Sequence, residues 1–114
     1  MIRNDIYFTP EAEEFIINCA ERLKNPNSLA EEFIVLSNIL YVERKDERGR
    51  RIKTSGPFVH IGVERSIRGL EVAKLPISGE SVHLSGFDQE SGITIKLNKD
   101  SSEKKARLCI DRDL

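Results

Sequence analysis

Nine of the eleven residues at positions 43–53 are charged, in the order Glu43-Arg44-Lys45-Asp46-Glu47-Arg48-Gly49-Arg50-Arg51-Ile52-Lys53. A segment this dense in charge must lie at the surface, because desolvating unpaired ions costs more than the whole stability of a folded domain. Apolar runs flank it, Ile39-Leu40-Tyr41-Val42 before and Phe58-Val59-His60-Ile61 after. Two β-forming runs joined by a polar stretch with a glycine read as a hairpin. Gly49 lets the tip turn tightly. Six of the nine charges are basic, so the tip projects cations into water.

The formal net charge of −1 conceals an uneven distribution. Residues 1–42 carry three basic and seven acidic side chains, residues 43–75 carry nine and five, and residues 76–114 carry six and seven. The middle third is therefore locally positive and the first third negative, while long-range attraction to a polyanion is weak. At 114 residues the chain is expected to form a single globular domain over 1–114 with a core that needs no staple. Its two cysteines, Cys19 and Cys109, lie in apolar patterns and read as small hydrophobes, with neither a disulfide framework nor a zinc spacing. No signal peptide and no apolar stretch of spanning length is legible, so the expected location is cytoplasmic, away from any membrane.

The clearest element is a helix over residues 10–24. Thr9 is a suitable N-cap, Pro10 occupies the first helical position, and Glu11, Glu13 and Glu14 sit at the positive end of the helix dipole. Ala12, Phe15, Ile16, Cys19, Ala20 and Leu23 follow the spacing of one buried face, and Asn25-Pro26-Asn27 ends the element. Ser28-Leu29-Ala30-Glu31 has the form of a capping box, which predicts a second helix from Leu29 that either runs to about Tyr41 or, in the preferred reading, stops near Asn38. A strand comes next, and residues 51–54 pair back on it.

Ser55-Gly56-Pro57 breaks the chain, and residues 58–64 alternate as a strand. Residues 65–75 fit a short helix or a strand. Residues 81–84 and 93–97 read as strands that pair with each other, and residues 106–110 as a final strand. Helices followed by strands predict an α+β fold, with two N-terminal helices packed on a mainly antiparallel sheet of about 4–6 strands.

Two segments bear on chemistry. Val59-His60-Ile61-Gly62 and Val82-His83-Leu84-Ser85 are similar to each other, and neighbouring strands would put both rings on one face. His83-Leu84-Ser85 resembles one half of the paired His-x-Ser/Thr motif of two-histidine phosphoesterases. The other half departs from that pattern, because His60-Ile61-Gly62 has no hydroxyl. Separately, Leu75-Pro76-Ile77-Ser78-Gly79-Glu80-Ser81-Val82 with Ile93-Thr94-Ile95 resembles the L-x-I-x-x-G-D/E-x-V … I-x-I pattern of AbrB-type swapped-hairpin regulators and SymE-type toxins. The resemblance covers about a quarter of the chain, with one residue fewer before Gly79, and no residue roles are carried over from it. The G-x-S-x-G, P-loop, dinucleotide-binding and H-E-x-x-H signatures are absent.

These observations favour a binding module of the inhibitor, immunity-protein or adaptor type over an enzyme. Its expected partner-binding residues are Arg44, Lys45, Arg48, Arg50, Arg51 and Lys53, directed at an acidic protein surface or a second copy of the chain. The alternative is a nucleic-acid-binding regulator using Arg44, Lys45, Arg48, Arg50, Arg51, Arg65 and Arg68. A small enzyme using His60 and His83 is the third reading. No cofactor, metal or catalytic set is assigned.

Overall fold

A computed structural model describes residues 2–98 and 106–112, with the side chains at 40–44 and 52–55 excepted. The element order is β1 (Ile6–Phe8), α1 (Pro10–Leu23), β2 (Phe33–Lys45), β3 (Arg51–Gly62), α2 (Glu64–Ile67), β4 (Glu71–Lys74), β5 (Ser81–Ser85), β6 (Ile93–Asn98) and β7 (Arg107–Arg112). The strands form two sheets, one ordered β1-β6-β7 and the other β3-β2-β5-β4.

Helix α1 forms as its sequence dictates. The Thr9 hydroxyl accepts from the Ala12 N–H at 3.2 Å, and Pro10 opens the helix. Ala12, Ile16 and Ala20 are buried, whereas Leu23 at the far end is 53% exposed. Cys19 and Cys109 are half-buried free thiols.

The predicted pair of N-terminal helices on one sheet is not what forms. Among the described residues strands dominate, α2 is a single turn, and the expected second helix is the strand β2. The reason lies in the run Phe33-Ile34-Val35-Leu36, which is apolar on both faces. A strand paired on both sides and covered on both faces reads that way, and β2 lies between β3 and β5. Ile34, Val35 and Leu36 are all buried. The capping-box serine closes a local turn instead: the Ser28 hydroxyl accepts from the Ala30 N–H at 3.3 Å. Neighbouring Glu32 accepts from the Asn25 N–H.

Two further pairings depart from the expectation of a mainly antiparallel sheet. β2 runs parallel to β5, and β1 parallel to β6. β6 pairs with β1 and β7 rather than with β5. The loop between β5 and β6 carries the chain from one sheet to the other, anchored by Phe87, which is 1% exposed. The segment resembling a swapped hairpin therefore does not close as one. Residues 65–75 contain both alternatives, the short helix α2 and the strand β4.

One core joins both sheets and the helix. It takes Ile6 and Phe8 from β1, Ile16 from α1, Ile34 and Leu36 from β2, Val82 and Leu84 from β5, and Ile93 and Ile95 from β6. Glu13, only 2% exposed, is buried beside it. Its carboxylate accepts the N–H groups of Ile77 (2.9 Å) and Ser78 (2.7 Å), tying α1 to the turn before β5. Arg3 makes a second tie. It donates to Asp5, Glu71 and the carbonyls of Phe87 and Glu90.

Candidate functional site: the basic hairpin and the histidine face

The charged segment at 43–53 is the end of the β2–β3 hairpin. Beyond Ser37, β2 loses β5 as a partner and continues with β3 alone to the pair Lys45↔Arg51. The ladder is interrupted between Ile39↔Gly56 and Val42↔Thr54, where two residues of β2 face one of β3. Such a bulge bends a strand and re-aims the residues beyond it. Gly56 sits at the same point with φ +121°, and a Cβ there would meet the Leu108 carbonyl oxygen of β7 at 3.0 Å. The distal ribbon, from Val42 and Thr54 to the tip, thus projects about 15 Å at the usual strand rise.

The tip is built around Asp46. Its backbone N–H donates to the Arg50 carbonyl (2.9 Å), and its carbonyl accepts the Gly49 N–H (3.0 Å). Gly49 takes φ +79°, the left-handed position that closes a hairpin loop of this kind. The Asp46 carboxylate accepts the N–H groups of Arg48 (2.9 Å) and Arg50 (2.8 Å), and pairs with Arg50 Nε at 3.1 Å. One of the acidic residues of the segment is therefore spent within the turn. Lys45, Arg48, Arg50 and Arg51 are exposed, as is Glu47. Arg50 remains 71% exposed despite its pair, and Arg51 also has a partner. The side chains of Arg44 and Lys53 lie outside the described residues, although their backbones occupy paired strand positions.

Arg65 and Arg68 are not part of this cluster. They lie in and just after α2, at the opposite end of β3. Twelve strand residues separate them from the tip, roughly 35–40 Å at the usual rise.

The two histidines come together in a way the sequence only half anticipated. Their strands are not neighbours, because β2 lies between them. Val35 is opposite His60 on one side and His83 on the other, so all three point to one face. Val35 is 2% exposed and forms the floor between them. One step along, Ser37 is opposite Phe58 and Ser85. Ser37 Oγ and His60 Nε2 share a hydrogen bond of 2.6 Å. His83 is half-buried, and Phe33 meets its ring edge-on at 5.5 Å. Burial pushes its imidazole below the ordinary value, and its Nδ1 has no hydrogen-bond partner among the described residues.

The sequence pattern places Ser37 at the end of a helix and gives it no part in this group. The available signal was the Ser37-Asn38 interruption of an otherwise apolar run. Among the described residues no group of three or more His, Cys, Asp or Glu is arranged to hold a metal ion. No described helix is long and apolar enough to cross a membrane. No protein-family model matches the chain, and neither the curated proteins nor the solved structures give a significant match.

Proposed function

We propose that the chain is a binding module that docks the tip of its β2–β3 hairpin on an acidic protein surface. The observation that carries this reading is the Asp46-centred turn. A loop whose backbone is fixed by its own carboxylate loses little freedom on binding, which lowers the entropy cost of association. It displays Lys45, Arg48, Arg50 and Arg51, all exposed, at the end of a ribbon that continues past the last pairing of β2 with β5. Guanidinium groups suit carboxylates, because their planar donors match both carboxylate oxygens.

Nucleic acid is the weaker reading. Arg65 and Arg68 are too far from the tip to extend one basic patch, and the turn residues 46–50 include no aromatic to stack on a base.

The test is capture of partners by the immobilised full chain, compared with its Arg48→Glu/Arg50→Glu/Arg51→Glu variant, using quantitative mass spectrometry. Each exposed ion pair contributes about 0.2–1 kcal/mol, so losing three and adding repulsion lowers affinity by about 10-fold or more. The proposal expects an acidic protein held by the wild-type chain and lost from the variant, with unchanged circular dichroism. Equal capture by both chains would remove the tip from the binding surface. A gel shift with duplex DNA or RNA at low salt that disappears in the same variant would favour the nucleic-acid reading.

A further inference from the structure

We propose that Ser37 and His60 form a nucleophile–base pair able to accept an acyl group from an activated ester. A hydroxyl is a weak nucleophile until a base lies within hydrogen-bond reach of its proton. The 2.6 Å contact between Ser37 Oγ and His60 Nε2 meets that requirement in the imidazole tautomer that carries its proton on Nδ1. Ser37 sits on β2 where that strand is paired on both sides, by β3 and by β5, so its backbone position is fixed. His60 is exposed, which leaves the pair open to a substrate from solvent.

The surroundings fit a small acyl group. Val35 supplies an apolar floor, and Phe58 is opposite Ser37 on the same face. Ser85 is the register partner of Ser37 across the parallel pairing, so the two Cα atoms are about 4.8 Å apart. Its side chain lies on the same face, so its hydroxyl is the donor that the register offers to the oxygen of a carbonyl attacked by Ser37. His83, opposite Val35 and half-buried, has its imidazole pushed below the ordinary value by burial, which favours the neutral ring on this face.

The step balances within these groups and water. The Ser37 hydroxyl proton passes to His60 Nε2 as Oγ bonds to the acyl carbon. The bond from that carbon to the leaving alkoxide breaks, and the alkoxide takes the proton from His60. Water then attacks the acyl carbon as His60 Nε2 takes its proton, the bond from that carbon to Ser37 Oγ breaks, and Oγ takes the proton back from His60 as the carboxylic acid leaves.

The experiment is labelling of the full chain with an alkyl fluorophosphonate, which phosphonylates activated serines with loss of fluoride, followed by peptide mass spectrometry. The expected result is a single modified serine, Ser37, labelled at least about 100-fold faster in the folded chain than in urea, the scale of general-base assistance. His60→Gln should remove that advantage with the circular dichroism unchanged. Ser37→Cys should give a thiol whose alkylation rate depends on His60. Labelling that persists in Ser37→Ala, a rate equal in urea, or indifference to His60→Gln in both the serine and cysteine chains would overturn the proposal.

Discussion

Replacing Glu13 by glutamine removes a charge and one acceptor oxygen while keeping the shape of the side chain. In the wild-type chain the carboxylate accepts two backbone N–H groups, from Ile77 and Ser78, at a site only 2% exposed. A hydrogen bond to a charged group contributes about 1.5–3 kcal/mol, and a buried donor left unpaired costs about 1–3 kcal/mol. The amide can satisfy one N–H and must turn its own NH2 toward the other. The two effects overlap at that second donor, so the expected loss is about 2–4 kcal/mol. For a chain of this size that corresponds to a fall in melting temperature of about 10–25 °C. Urea unfolding followed by circular dichroism measures it, with Glu14→Gln on the exposed side of the same helix turn as the control. Amide exchange at Ile77 and Ser78 should quicken in step. A Glu13→Gln chain within about 0.5 kcal/mol of wild type would refute the buried tie between α1 and the turn before β5.

Three other outcomes rest on the same geometry. Asp46→Ala removes the acceptor of two backbone N–H groups at the tip, so it should destabilise by about 1 kcal/mol or more in urea unfolding and speed amide exchange at Arg48 and Arg50. Gly56→Ala forces an alanine into φ +121° against the Leu108 carbonyl, so it should destabilise by more than about 1 kcal/mol in urea unfolding. The third concerns pH. Hydrogen bonds from Arg3 hold the Asp5 carboxyl well below its ordinary range, and hydrogen bonds from Arg112 lower that of Glu90. Such groups contribute stability above their unfolded values that is lost as pH falls toward the folded ones. His83, lowered by burial, stays neutral in the fold while the unfolded chain takes up its proton first, below about 6.5. Urea midpoints should therefore fall in two stages on acidification. His83→Gln should remove the stage beginning near pH 6.5, and Arg3→Met should shrink the stage below about pH 4. A midpoint constant from about pH 7 to about pH 3 would contradict both.

How far the fold was legible depended on whether its signals were local. Thr9, Pro10 and the spacing of Ala12, Ile16 and Ala20 specify α1 within one helix, and it formed almost residue for residue. The hairpin at 43–53 was legible for the same reason, because residues close in sequence pair with each other. β2 was misread at its start because an all-apolar run carries no period, and only its two strand neighbours decide between helix and strand. The parallel pairings β1–β6 and β2–β5 join residues more than forty positions apart, and nothing in any local pattern announces them. Three-residue β1 is shorter than any periodicity can show. The histidine face obeyed the same rule. The resemblance between the two His segments was visible, but Ser37 became part of the group only once β2 was placed between them. Glu13 looked like an ordinary dipole-facing acid in the first turn. Its partners lie sixty-four and sixty-five residues away.

The claim that partners meet this chain at the hairpin tip is tested most directly by crosslinking. A photoreactive residue replaces Glu47, which is exposed at the tip, in one chain, and Ile77, exposed at 72% in the turn before β5, in another. Neither substitution removes a cation. Both chains are irradiated in the same lysate and their adducts identified by mass spectrometry. The expected result is an acidic protein crosslinked through position 47 and absent from position 77, with the yield falling as salt is raised. An adduct that forms through position 77 but not through position 47, or that is indifferent to salt, would contradict it.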